Sequence, residues 1–114
     1  MIDHVRSIEG QALEGEGIEH VVKRLLVGPA EGWRGWALRL FELAPGGHTP
    51  RHRHPWPHID YVTAGHGTLH LDGVDNPLEA GSFAYVPAGA THQFSNAGDD
   101  TFAFLCIVPE EGEG

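Results

Sequence analysis

The chain has 114 residues, and its 7 lysines and arginines face 16 aspartates and glutamates, for a formal net charge of −9. That length predicts one domain spanning residues 1–114 with one core, and the acidic balance argues against nucleic acid or an anionic membrane as partner. No apolar run approaches the roughly 20 residues of a membrane span, the opening MIDHVRSIEG is charged where a signal peptide is apolar, and Cys106 is the only cysteine; a reducing, cytoplasmic setting is expected.

In chain order, residues 9–16 suggest a helix only weakly. Three glycines lie in or beside that stretch and no 3.6-residue period runs through it, so the helix is rejected. Seven strand-like runs follow: residues 20–28, 36–47, 58–65, 67–73, 81–89, 91–96 and 101–109. The first ends in Gly28-Pro29 and the second in Pro45-Gly46-Gly47, both read as turns. The last is apolar on both faces, as expected of a strand with neighbours on either side. The closing EEGEG, residues 110–114, reads as a frayed tail. With 16 glycines and 8 prolines spread evenly, the pattern predicts an all-β sandwich or small barrel.

The nine histidines outnumber lysine and arginine together, and histidine is the commonest metal ligand. His52 and His54, two apart, would project from one face of a strand. The stiff Pro55-Trp56-Pro57 segment can return His58 to the same cavity, and His92 could close the site from another strand. Four neutral imidazoles suit zinc, copper, iron, nickel or manganese.

The spacing carries more than the histidines alone. Gly46, five residues, His52, one residue, His54, three residues, His58, six residues and Gly65 form one run; Gly81, five residues, Pro87, one residue, Gly89, two residues, His92, three residues and Asn96 form a second. Together these resemble the two motifs of the cupin superfamily, specifically its small single-domain members. The resemblance implies a jelly-roll-like β-barrel of six to eight strands with one divalent metal in its mouth. It also implies a homodimer, often with exchanged amino-terminal strands. One residue departs from the pattern: the usual glutamate of the first motif is His58. In this the chain is similar to four-histidine monocupins, among them a thermophilic manganese cupin with the same His-x-His-Pro-Trp-x-His run. Replacing a carboxylate by an imidazole leaves the metal complex one unit more positive, which makes it a stronger Lewis acid.

Strand parity from His58 brings Asp60 and Val62 to the same face. Asp60 is read as a partner for a ligand imidazole or as a general base. Arg39, within an apolar alternation, is a candidate for holding a carboxylate or enolate. Phe94 shares parity with His92, and Phe102, Phe104 and Cys106 share one face of the last run, so Phe94, Phe104 and Cys106 are pocket candidates beside Trp56. His4, His20, His48, His66 and His70 lack the spacing and are read as structural or exposed.

Three functions are compatible with this reading. The favoured one is a metal-dependent dioxygenase for a small organic substrate, with manganese or iron. The others are a non-redox Lewis-acid isomerase, cyclase or lyase with zinc or a similar metal, and a non-catalytic small-ligand sensor.

Overall fold

Nine strands form one antiparallel sheet that curls into a nearly closed barrel; the structure, a computed structural model, describes residues 1–113. The strands are β1 (Gln11–Leu13), β2 (Glu19–Val27), β3 (Trp36–His48), β4 (His58–Ala64), β5 (His66–Leu71), β6 (Val74–Glu79), β7 (Phe83–Val86), β8 (His92–Ser95) and β9 (Phe102–Pro109). A single helical turn, α1 (Glu110–Glu113), follows. The order across the sheet is β6-β5-β8-β3-β9-β4-β7, with β2 on β3 and β1 on β2.

All seven expected runs are strands, and two more lie where none was expected. β1 occupies the rejected helix segment, where a short strand pairs Ala12 with Val22. β6, sequence VDNPLE, is polar and contains a proline, yet it forms the sheet edge beside β5. An edge strand tolerates Pro77 because no neighbour requires its missing N–H. Asp72-Gly73 makes the two-residue turn into it, both residues at positive φ (47° and 84°), as such hairpins demand. The count is therefore nine, not six to eight.

β3 also runs past the Pro-Gly-Gly segment read as a turn. Gly46 takes φ +81° inside the strand, a conformation that favours glycine. There β3 changes partner, from β9 along residues 36–43 to β8 at His48. Asn96 locks this bend. It is 2% exposed; its amide donates to the Leu43 and Asp100 carbonyls (2.9 and 2.8 Å), and its Oδ1 accepts from Gly98 N (2.9 Å). The motif asparagine is thus a structural clamp between β3 and the β8–β9 turn. Gly65 is required for a different reason: at φ +76°, a Cβ there would collide with the Thr101 backbone.

The core lies between the walls of the barrel. Phe94, Phe102 and Phe104 pack with Phe41, the Phe94 and Phe104 rings stacked at 4.1 Å and Phe41 on Phe104 at 5.4 Å. Such ring pairs add about 0.5–1.5 kcal/mol each beyond the area they bury. β9 sits between β3 and β4, as its two-sided apolarity suggests. The alternation in β4 buries His58, Asp60 and Val62 and exposes Ile59 and Tyr61. Residues 110–113 are not frayed: α1 folds back on β9 and β3, with Glu110 N bonded to the Gly35 carbonyl (2.8 Å). Gly114 lies outside the described residues.

Candidate metal centre

His52 and His54 sit in the loop between β3 and β4 rather than on a strand. Their placement comes from the second motif. His52 and His92 exchange both backbone hydrogen bonds (3.1 and 2.9 Å), an isolated bridge that fastens the first motif to β8. Gly89 N then bonds to the His54 carbonyl (2.8 Å). His58 opens β4.

The four rings gather at one point. His52 lies 5.2 Å from His54 and 4.8 Å from His92 between ring centroids; His54 lies 4.8 Å from His92 and 5.4 Å from His58, which is 4.9 Å from His92. Ligand atoms of His52, His54 and His92 lie within 4.8 Å of one another, so these three could hold a metal ion. His58 Nε2 is 3.2 Å from His92 Nε2. Nitrogens bound at about 2.1 Å to one tetrahedral or octahedral metal would stand roughly 3.0–3.4 Å apart, so the spacing fits a shared cation.

The hydrogen bonds fix which nitrogen faces the cavity. His54 Nδ1 donates to the Trp56 carbonyl (2.8 Å), His58 Nδ1 to Asp60 Oδ2 (2.6 Å) and His92 Nδ1 to the Ala90 carbonyl (2.9 Å). Each acceptor is an oxygen, so each Nδ1 carries the proton, and in the neutral ring Nε2 then keeps its lone pair for a metal. Burial pushes the pKa of His92 down to about 4, the Ala90 bond opposing and the neighbouring histidines adding to the shift. Burial also lowers His52 and His54, assisted by other rings of the cluster and, at His54, by the Arg39 charge. The lowered values of His52, His54 and His92 favour the neutral imidazole, the form a metal requires.

One cavity of about 240 Å³ adjoins the cluster, and every residue nominated from the sequence lines it: the four histidines, Asp60, Arg39, Trp56, Phe94, Phe104 and Cys106. Asp60, 2% exposed, uses Oδ2 on His58 and leaves buried Oδ1 without a hydrogen-bond partner. Trp56 stacks on His54 (4.7 Å, 11° between planes). Arg39 Nη2 donates to Cys106 Sγ (3.0 Å), and the guanidinium lies 4.8 Å over the Phe41 ring. Burial first, then the Asp60 carboxylate, push the Cys106 thiol well above its ordinary range, with Arg39 opposing; Cys106 is a neutral thiol, not a nucleophile. Phe102 stays in the core behind the cavity.

Other wall residues escaped the sequence reading. Lys23 reaches in from β2, Phe41 from β3, and Gly112 from α1. Lys23 and Phe41 are paired in the β2–β3 register, a long-range relation that no local spacing encodes. The five remaining histidines stay outside. His70 bonds Asp75 across the β5–β6 hairpin (2.8 Å), and His4 caps a 3₁₀ turn by accepting from Arg6 N (3.0 Å). No helix among the described residues is long and apolar enough to cross a membrane.

A curled antiparallel sheet with clustered imidazoles at one end defines a β-barrel of metal-binding type. Residues 39–108 match the family described as Cupin domain, and the chain belongs to that family. It is similar to the oxalate-binding protein of Thermotoga maritima, 32% identical over 74 residues that form 61% of this chain and 61% of that one. It is similar as well to the 1-methylthio-D-xylulose 5-phosphate methylsulfurylase of Rhodospirillum rubrum, 30% identical over 98 residues, 86% of this chain and 62% of that one. The chain thus spans less than two thirds of either relative. Among solved structures, the polyketide cyclase RemF of Streptomyces resistomycificus superimposes with a TM-score of 0.88 at 28% identity, over 96% of this chain and 80% of that one.

Proposed function

We propose that His52, His54, His58 and His92 hold one divalent transition metal (manganese, iron, copper, nickel or zinc), and that the site enolises a small organic substrate that chelates through oxygen. The observation that carries this reading is the set of Nδ1–H bonds that leaves Nε2 lone pairs converging on the cavity. With only neutral ligands, a bound metal would keep its full charge and supply strong polarisation of a carbonyl. The chain's own residues do the rest. The Asp60–His58 bond fixes ring orientation, and Asp60 Oδ1, buried and without a hydrogen-bond partner among the described residues, would accept the proton leaving the substrate's α-carbon. Phe94 and Phe104 exclude water, and Arg39, Trp56 and Cys106 complete the substrate's space.

Non-redox Lewis-acid chemistry is the form of this reading favoured by the likeness to a polyketide cyclase over nearly the whole chain. A dioxygenase is the second form, supported by the aromatic cavity wall, which shields a reactive enolate. The test is incubation of metal-loaded protein with small ketoacids and hydroxyketones in D2O under argon. Metal-dependent deuteration at the α-carbon, lost in Asp60→Asn, is expected. Turnover that requires oxygen would transfer the assignment to the dioxygenase, and neither activity would leave a ligand-binding protein.

The same reading includes a homodimer. Ile59 and Tyr61 of β4, Phe83 and Tyr85 of β7 and Ile107 of β9 are exposed together on one face that ends at the unpaired edge of β7. A second copy is the occupant that would bury this patch. Strand β2 is already flanked by β1 and β3 at residues 21–23, so it offers no free edge there for a second copy. Phe83→Glu should yield monomers by light scattering; an unchanged dimer would place the contact elsewhere.

A further inference from the structure

Arg39 is an incompletely matched cation. Its side chain is 12% exposed, and a guanidinium has five donors. Among the described residues only one makes a hydrogen bond, to the sulfur of Cys106, a weak acceptor, while buried Nε has no partner there. Its charge partner is Glu113 of α1, whose Oε1 stands 3.7 Å from Arg39 Nη1, too far for a hydrogen bond. Oε1 is itself buried and unpartnered. The other oxygen, Oε2, receives Lys23 Nζ at 2.9 Å, and Lys23 is 14% exposed. Two of the chain's seven lysines and arginines thus enter one cavity wall of a protein with net charge −9, around a carboxylate that fits them imperfectly. Arginine–carboxylate pairs frequently form a two-bond fork, and Arg39 and Glu113 do not.

We infer that Lys23 and Arg39 form a carboxylate-binding subsite beside the histidine cluster, that Glu113 occupies it in the resting protein, and that the substrate carries a carboxylate which displaces Glu113. The Phe41 ring under Arg39, stacked on Phe104, gives that carboxylate an aromatic or flat hydrocarbon body to rest on. Displacement loosens the end of α1, because Glu113 ties that end to Lys23 of β2 and Arg39 of β3 while Glu110 N stays bonded to the Gly35 carbonyl. It also loosens the mouth: Gly112 packs so closely on Trp56 that a Cβ there would lie 2.5 Å from the indole Nε1. The inference deepens the proposed function and rests on it for the chemistry at the metal, not for the anion subsite.

The test uses the full chain freed of metal by a chelator and dialysed, titrated with benzoate and, as an uncharged isostere, benzamide, by amide NMR. Benzoate should shift the Gly112 and Glu113 amides and the Trp56 indole signal, and benzamide should not. Glu113→Gln removes the internal competitor and should tighten benzoate binding about five- to tenfold, as release of an occupied state requires. Lys23→Met should weaken it by a similar factor. Benzoate affinity unchanged or weakened in Glu113→Gln, or equal binding of benzamide, would overturn the subsite. Metal content is measured on untreated protein, so a chain that binds benzoate as expected but takes up no metal would instead overturn the four-histidine reading alone.

Discussion

The two ends of the cavity are built on opposite terms. At the histidine end, three of four rings have their outer nitrogen bonded to an oxygen, two of those oxygens belong to backbone, and the loop carrying His52 is bonded to the strand carrying His92. At the Lys23–Arg39 end, the acceptor comes from a single helical turn, the Arg39–Glu113 approach is 3.7 Å, and among the described residues Arg39 Nε and Glu113 Oε1 lack partners. Orientation fixed in advance suits a resident ion, since ligand geometry must be held before binding. Imperfect satisfaction suits a group that leaves, because losing such contacts costs less.

The largest effect should come from breaking the fixed end. His54→Ala is expected to lower metal affinity more than about 100-fold, beyond the 10- to 100-fold typical of losing a supporting residue. His70→Ala, whose ring is tied to Asp75 outside the cavity, should leave it unchanged. Equal occupancy in the two variants by elemental analysis would defeat the ligand assignment. Asp60→Asn should fall between them, with roughly 10- to 100-fold weaker metal binding, because an amide holds the His58 Nδ1–H less firmly than a carboxylate.

The fixed end was also the legible one. Motif spacing singled out His52, His54, His58 and His92 and period-two parity singled out Asp60, side chains that the fold brings together, since both are local properties of the chain. β6 was not legible because Asp75, Asn76 and Pro77 have low strand propensity, and only the Asp72-Gly73 turn signals that a partner strand follows. Lys23 and Glu113 were not legible either. They are 90 residues apart, and each reads locally as solvated charge. Their meeting depends on β2 pairing with β3 and on α1 turning back, which no nearby residue announces.

Acid should distinguish the ends next. His92 titrates near 4 in the folded chain against 6.5 unfolded. Between those values the unfolded state binds the extra proton, so stability rises with pH across the window. The metal-free protein should therefore keep its full stability above about pH 6.5 and lose it as pH falls toward 4. His92 alone should account for about 2 kcal/mol of that loss, reduced from 1.36 kcal/mol per unit because its ring borders an open cavity. Urea midpoints at pH 7 and pH 4.5 check this. His92→Gln should flatten the difference; an unchanged slope would mean that His92 is not the buried base.

The smallest expected effect belongs to the Lys23–Arg39 side. Gly112→Ala adds a methyl group that would lie 2.5 Å from both Trp56 Nε1 and Val108 Cγ2, so α1 must move outward. Little core is lost, because α1 buries none of its residues fully. The change in stability should stay within about 1 kcal/mol, as for other substitutions away from the core. Metal affinity should be unchanged, since no histidine bond runs through α1. Benzoate binding should tighten modestly, because a displaced Glu113 competes less well for Lys23 and Arg39. If Gly112→Ala weakens metal binding instead, α1 and the histidines act as one unit, and the division of the cavity into a fixed and an exchangeable end fails.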